Sequence, residues 1–325
     1  MTPLEEIVCA IQAANSIALV SHVNPDGDTM GSVLALKQGF ERLGKRATAF
    51  CQDKVPDNLS FLEGAWDFRK PESAKGERFD LLLCVDVADE DRMGGCAVLK
   101  DCCDRMAQID HHGTNPNYAE LNCVDAHAPA TGLIARELLA RLGVAMDAKI
   151  AACLYVAIST DTGNFAYAST SPEAFRVTAE LMEAGLPLSE INRRLYRQRE
   201  MAQVLLIQRA LKSLTFYHGG AITSMALRRQ DFDDCGAMAE HADTLVNYGL
   251  DILGVRMTVF ARETETPGEV KLSLRAVEPC SVSEVAKHFG GGGHEQAAGA
   301  TVRGSLEECV TRCVTALGEA LEKSE

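Results

Sequence analysis

The sequence predicts an α/β protein: a mostly parallel sheet flanked by helices, then a helical linker, then a smaller α/β domain with a mixed sheet. Three observations carry this reading. Short apolar runs alternate with helical patterns through the first half, as strand–helix–strand units with right-handed crossovers require. One run, Phe79–Asp86 (FDLLLCVD), is apolar almost throughout, the pattern of a strand covered on both faces of a parallel sheet. A length of 325 residues corresponds to two domains at roughly 100–200 residues each.

Taken in order, Ser16–Ser21 (SIALVS) reads as a buried strand. Gly31–Leu43 follows as a helix, with Val33, Leu34, Leu36, Phe40 and Leu43 at helical spacing. Arg46–Gln52, Phe79–Asp86 and Arg105–Asp110 are the next strands. From Thr131 the pattern turns helical, over Thr131–Leu142, Asp147–Ser159 and Ser171–Ala184. The last of these has Ser171 as N-cap, Pro172 at the first helical position and Gly185 as the stop. Leu188–Leu214 reads as one long helix, rich in Arg and Gln with a thin apolar stripe, suited to a connector. The remainder restarts with strands at Ala221–Leu227, Ile252–Phe260 and Val270–Ala276, the last two joined by a polar loop containing Pro267–Gly268. Two helices follow, each opening on a capping-box pattern, Ser281 with Glu284 and Ser305 with Glu308. The expected divisions are residues 1–187, a linker over 188–214, and 215–325.

Composition narrows the function classes. The chain is 46% hydrophobic and 24% charged, with 32 Lys+Arg against 46 Asp+Glu and a net charge of −14. Such a surface argues against gripping long duplex nucleic acid by phosphate neutralisation and against a basic membrane-surface binder. An anionic substrate then needs a local feature that reverses the field. The first twenty residues lack a basic export signal and carry Glu5 and Glu6. No apolar run reaches the ~18 residues of a membrane span. The 12 Cys form no CxxC pair and read as reduced, mostly buried small hydrophobes of a cytoplasmic protein.

Four clusters carry chemistry, and all lie where strands or helices end. The first is Ser21-His22-Val23-Asn24-Pro25-Asp26-Gly27-Asp28; its acids suit metal ions, and equally an Asp-rich turn capping the next helix. Asp86, ending its strand with Asp89 just beyond, lies where open α/β sheets gather ligands, although a strand-end Asp also caps turns. Asp110-His111-His112 offers two imidazoles and an acid able to orient one of them. Asp161 ends a helix within Ser159-Thr160-Asp161-Thr162-Gly163-Asn164. Together His22, Asp26, Asp28, Asp86, His111 and Asp161 suffice for a dinuclear site, with Asp86 bridging by position. Carboxylates with a His per ion favour two Mn²⁺, with Mg²⁺ or Co²⁺ as substitutes, and no Cys joins them to favour zinc. In the second half, Gly290–Gly293, His294 and the small residues after it let backbone N–H groups approach an anion, or form a flexible loop. Arg275 is either a planar phosphate clamp or an exposed strand charge.

HVNPDGD, VDVAD, DHH, the Asp161 segment and GGGGH, in that order across nearly the whole chain, resemble the DHH phosphoesterase superfamily with its DHH-associated C-terminal domain. Within it the chain is similar to the small bifunctional oligoribonucleases, or nanoRNases, which also act on 3′-phosphoadenosine 5′-phosphate. The resemblance implies one ion held by His22, Asp26 and Asp86 and another by Asp28, Asp86, His111 and Asp161. It places His112 against the scissile phosphate and Asp110 behind it. Arg275 and His294 would hold the nucleotide, with backbone contacts from Gly292 and Gly293. The implied activity is hydrolysis of short RNA oligonucleotides, about two to five nucleotides long, and of nucleotide phosphates, by two-metal activation of water. Cyclic dinucleotides or their linear products pApA and pGpG form an alternative substrate class, and a non-catalytic nucleotide-binding module an alternative of another kind. A homodimer is also implied.

Overall fold

The computed structural model describes residues 1–324; the chain divides into two units, the first Met1–Gln198 and the second from Arg199 onward. The first unit runs α1 (Pro3–Ala13), β1 (Ser16–Val20), α2 (Gly27–Arg42), β2 (Arg46–Phe50), β3 (Phe79–Val85), β4 (Cys103–Asp110), β5 (Leu121–Val124), α3 (Thr131–Arg141), α4 (Ala148–Asp161), α5 (Pro172–Glu183) and α6 (Leu188–Asn192). Its five strands are all parallel in the order β2-β1-β3-β4-β5. Chain order reverses between β1 and β3, which makes a crevice outside their carboxyl ends.

The apolar run of β3 has its expected cause. Leu81, Leu83 and Val85 face one core with Ile17 and Leu19, while Leu82 and Cys84 face a second core with Ala18 and Val20. Both faces of the central strands are therefore dry. On the first face α2 lies directly against α4. A Cβ on Gly31 would meet the Cys153 carbonyl oxygen at 2.3 Å, so glycine is what permits the approach that brings the start of α2 to the end of α4.

The second unit comprises α7 (Met201–Lys212), β6 (Thr215–Tyr217), β7 (Ile222–Leu227), α8 (Arg229–Cys235), α9 (Leu245–Leu250), β8 (Met257–Glu263), β9 (Glu269–Ala276), α10 (Ser283–His288), β10 (Gly292–Gly293), β11 (Ala297–Arg303) and α11 (Leu306–Glu322). Its sheet, in the order β10-β11-β9-β8-β7-β6, is antiparallel except for the parallel pair β7–β8, and so is mixed. On α11, Leu306, Cys309, Cys313, Val314, Leu317 and Leu321 make the buried stripe. The Ser305–Glu308 capping box forms at its start.

Three expectations differ from what is observed. Leu188–Leu214 is not one helix: α6 passes into a π-helical turn at Arg193–Arg197, Gln198 is extended, and α7 starts afresh at Met201. The stretch RRLYR buries no residue fully and packs only Leu195 partly against the core, too narrow an apolar face to hold one straight helix. Ser281 is not an N-cap; α10 begins at Ser283, and the Ser281 hydroxyl accepts the Ser283 N–H at 3.4 Å instead. The strand expected from Ile252 begins at Met257, because Leu253 is fully exposed in the turn that follows α9. The periodicity also left out α1, β5, β6, α8, α9, and the hairpin β10–β11. All 12 cysteines are unpaired, and burial pushes the thiols of Cys84 and Cys153 up to about 12, which suits packing rather than reactivity. No helix among the described residues is long and apolar enough to cross a membrane.

Candidate metal centre

Four segments converge at the carboxyl ends of β1, β3 and β4. After β1 the chain turns through His22, which is buried, into the N-terminus of α2. Asp26 does both jobs open to it. Its Oδ1 accepts the N–H groups of Asp28 (3.0 Å) and Thr29 (3.2 Å) as N-cap, while its Oδ2 lies 3.5 Å from His22 Nε2. The Thr29 hydroxyl donates to the Val85 carbonyl at 2.8 Å, tying the start of α2 to the end of β3.

Asp28 lies in the first turn of α2 with 1% of its surface exposed. Its carboxylate accepts the backbone N–H groups of Thr131 (2.6 Å) and Gly132 (2.9 Å) at the start of α3, and the Ser32 hydroxyl at 3.1 Å. An acid at a helix N-terminus takes up donors that the helix itself leaves unsatisfied.

Asp86 occupies the left-handed region at φ 62°, a conformation costing a non-glycine residue about 1 kcal/mol. Its N–H donates to the Ile109 carbonyl at 3.0 Å and its Oδ1 accepts the Thr131 hydroxyl at 2.9 Å. The turn sets the carboxylate between two imidazoles: Oδ2 is 3.6 Å from His22 Nε2, and Oδ1 is 3.6 Å from His111 Nε2. Strain kept at such a position is typical of functional sites.

Both imidazoles face the acids in the same way. Nδ1 of His22 lies 2.8 Å from the Val23 carbonyl, and Nδ1 of His111 lies 3.1 Å from the Ala128 carbonyl. A carbonyl only accepts, so Nδ1 carries the proton and Nε2 is turned to the carboxylates, as in metal-binding histidines. His111 Nε2 is also 3.2 Å from Asp161 and 3.8 Å from Asp28. His112 differs, because its Nδ1 bonds Asp110 at 2.8 Å. The other oxygen of the fully buried Asp110 accepts from Asn115 Nδ2 at 2.6 Å.

Three groups thus have candidate ligand atoms mutually within 4.8 Å: His22, Asp26, Asp86; Asp28, His111, Asp161; and Asp86, His111, His112. Their electrostatics show an excess of negative charge. Burial, then Asp86, Asp161 and Asp26, holds the Asp28 carboxyl well above the usual range. Burial pushes Asp161 up to about 6, against the pull of His111 and with the push of Asp86 and Asp26. Burial alone would lower His22, but its hydrogen bonds to Asp26 and Asp86 push it up to about 10. Burial would raise Asp26 and Asp110, yet the bonds to His22 and to His112 with Asn115 bring each below the ordinary value. His112 is raised, chiefly by Asp110. Oxygen and imidazole donors around buried, uncompensated carboxylates suit divalent cations.

The four expected residues of the second unit lie along β9 and the β10–β11 hairpin. Arg275 sits opposite Ala297 in the register, half-buried, with Nη1 donating to the Leu274 carbonyl at 2.9 Å. Gly292 and Gly293 pair with Gly299 and Ala298, so they form a short strand rather than a loose loop. Gly293 has φ 143°, and a Cβ there would meet the Ala297 oxygen at 2.5 Å. His294 is exposed at the hairpin tip, and its N–H donates to the Ala297 carbonyl at 2.8 Å.

Sequence reasoning missed Ser32, Arg92, Asn115 and Thr131. Asn115 stands three residues after DHH, and its chemistry could have marked it as a partner for Asp110. Thr131 and Ser32 read as ordinary helix residues. Arg92 carries no motif at all, yet its Nη2 lies 3.0 Å from His22 Nδ1.

A parallel sheet with acids and imidazoles at its switch point defines a class. The profile of the DHH family, N-terminal domain, matches residues 16–158, and that of the DHHA1 domain matches residues 224–323. The chain belongs to the DHH family. It is 34% identical, over 100% of its length and 95% of the relative's, to the bifunctional oligoribonuclease and PAP phosphatase NrnA of Thermus thermophilus. The Bacillus subtilis protein of the same name is 26% identical over 91% of this chain and 92% of its own. Among solved structures, an exopolyphosphatase-related protein from Bacteroides fragilis superposes with a TM-score of 0.89 at 25% identity, covering 98% of this chain and 96% of that one. RecJ of Thermus thermophilus, solved in complex with Mn²⁺, shares the fold at 16% identity, with a TM-score of 0.53 over 98% of this chain and 55% of RecJ.

Proposed function

We propose that this protein hydrolyses short oligoribonucleotides, about two to five nucleotides long, to mononucleotides, and converts 3′-phosphoadenosine 5′-phosphate to AMP, using two divalent cations. The carrying observation is Asp86, one carboxylate set between His22 and His111 at 3.6 Å from each. His22, Asp26 and Asp86 would hold one ion, and Asp28, Asp86, His111 and Asp161 the other, with Mn²⁺ suited to this donor set and Mg²⁺ or Co²⁺ as substitutes. Such a pair of ions supplies an activated water and stabilises the charge on the phosphate oxygens. The full-length similarity to relatives named for both activities supports the substrate class.

The chain's own residues supply the remainder. Asp110 occupies Nδ1 of His112, leaving Nε2 as the ring nitrogen able to meet substrate. Asp110 raises His112 and so favours its protonated form, which suits a group that donates to the departing oxygen. Asn115 fixes Asp110 from the other side, so the imidazole has one orientation. In the second unit, Arg275 and His294 would hold nucleotide phosphates and Gly292 and Gly293 would offer backbone contacts.

The test is a substrate panel with purified protein and Mn²⁺, read by product length: dinucleotides to pentanucleotides, a long RNA, 3′-phosphoadenosine 5′-phosphate, pApA, pGpG and the cyclic dinucleotides. Mononucleotide release from the short RNAs and AMP from the bisphosphate are expected. Preference for the cyclic molecules would overturn the substrate assignment, and binding without turnover would overturn the enzyme. Sedimentation of the same sample measures whether the chain is the homodimer its resemblance implies.

A further inference from the structure

We propose that Arg92 grips the substrate phosphate in the metal centre; the inference rests on the phosphoesterase reading above. Arg92 belongs to no motif, yet its backbone is fixed at both polar groups. Its N–H donates to Asp89 Oδ1 at 3.0 Å, and its carbonyl accepts the Val23 N–H at 2.8 Å. These bonds pin the loop after β3 to the loop after β1 and aim the side chain at the site.

The guanidinium then meets partners that cannot use it. Nη2 lies 3.0 Å from His22 Nδ1, but that nitrogen already faces the Val23 carbonyl at 2.8 Å. The Val23 oxygen can only accept, so Nδ1–H points to it whether Nε2 carries a proton or a metal ion. Nδ1 therefore has no lone pair left for Arg92. Nε of Arg92 is buried and has no hydrogen-bond partner. Two N–H groups on one planar fork thus lack an acceptor, and that fork matches a phosphate's paired oxygens. Buried donors without acceptors are uncommon and point to a missing ligand; here an anion supplies what His22 cannot.

The experiment compares wild type, Arg92→Gln and Arg92→Lys, each Mn²⁺-loaded and matched by circular dichroism and melting temperature. Calorimetric binding of AMP, which carries the phosphate but is not hydrolysed, is measured beside adenosine, which lacks it. Arg92→Gln is expected to weaken AMP roughly 10- to 100-fold, or about 1.4–2.8 kcal/mol at 1.4 kcal/mol per decade, leaving adenosine unchanged. Arg92→Lys should recover part of the loss, since it keeps the charge without the fork. Mn²⁺ affinity should stay within about twofold, because Arg92 does not reach Nε2. Unchanged AMP binding in Arg92→Gln would overturn the proposal. So would a fall in Mn²⁺ affinity that fully accounts for the AMP loss, which would make Arg92 a positioning residue for His22. Arg92-dependent AMP binding in a protein that hydrolyses no dinucleotide would leave this inference standing and refute the phosphoesterase reading.

Discussion

Stripped of divalent ions, the protein should lose stability as pH rises from about 4 to about 7, the opposite of ordinary acid denaturation. Asp161, pushed up to about 6 by burial against the pull of His111, and Asp28, raised by burial and three neighbouring carboxylates, both bind protons more tightly folded than unfolded. A group with a raised folded pKa contributes stability fully below its unfolded value, near 3.9 for an Asp, and loses it as pH climbs through the folded one. For Asp161, a rise from 3.8 to about 6 amounts to about 3 kcal/mol at 1.36 kcal/mol per unit. Its side chain is 31% exposed, and water screening reduces this to about 2 kcal/mol. For a unit of this size that is a fall of about 4–8 °C in Tm, to which Asp28 adds in the same direction.

The lowered Asp26 and Asp110 act below this window, losing their contribution as pH drops under about 4. His22, raised to about 10, holds its contribution below about 6.5 and loses it toward 10, so the stretch from 4 to 6 reports the acids. Differential scanning calorimetry with a chelator, at steps between pH 4.5 and 7.5, measures the effect. The same scans with Mn²⁺ at a hundred times its Kd should recover about 2.7 kcal/mol per site near neutral pH, and Asp161→Asn should flatten part of the metal-free fall. A metal-free wild type whose Tm is level or rising across the window would refute the reasoning. So would an Asp161→Asn variant with the wild-type slope.

Three further outcomes are expected. Asp110→Asn removes the main support of the His112 proton, so the basic limb of the kcat–pH profile should move to lower pH and kcat at pH 8 should fall at least 10-fold, within the usual range of about 10²–10⁴ for acid–base groups; an unshifted limb would sink the role of Asp110. Arg275→Ala and His294→Ala should each raise KM about tenfold for dinucleotides while leaving a chromogenic phosphodiester unaffected, and equal losses on both substrates would refute nucleotide holding. Gly293→Ala forces a Cβ to within 2.5 Å of the Ala297 oxygen at φ 143°, so unfolding of the second unit should begin several degrees lower, in line with a strain of about 1–3 kcal/mol, and dinucleotide KM should rise with it.

What was legible in the sequence follows from how local the determinant is. Asp86 could be placed because a strand covered on both faces must end in polar chain, and ligands gather at that end. What the strand could not reveal is the left-handed turn that gives each carboxylate oxygen its own imidazole. Asp26 carried two readings, cap or ligand, and its two oxygens realise the cap and the contact with His22 separately. Asp28 looked like one more acid in a turn; its burial against the N-terminus of α3 depends on Gly31 admitting α4, a contact across 122 residues of chain. The linker failed for a different reason. Helical propensity in RRLYRQRE is adequate, but its only apolar side chains, Leu195 and Tyr196, are partly covered, too little of a packed face to carry one straight helix through, and packing rather than propensity holds most helices straight. Arg92 was illegible because no motif marks it: Asp89 fixes its N–H within the same turn, but the bond that ties it to the site comes from Val23 in the loop after β1.

The charge of the chain makes that residue consequential. Five of the 46 acids, Asp26, Asp28, Asp86, Asp110 and Asp161, lie in the centre, and two divalent ions leave them still one charge negative. A protonated His112 restores neutrality, which alone gives no attraction for a phosphate. Arg92 is the cation that turns the balance positive. The chain as a whole carries a net −14, a field that disfavours a long polyanion held by the surface at large. Raising ionic strength should therefore weaken dinucleotides, held at few phosphates, less steeply than the salt slope of a protein that neutralises a long strand. Affinity that grew with RNA length and collapsed with salt would show that the protein grips polymer by its surface, and would contradict a site charged only at its centre.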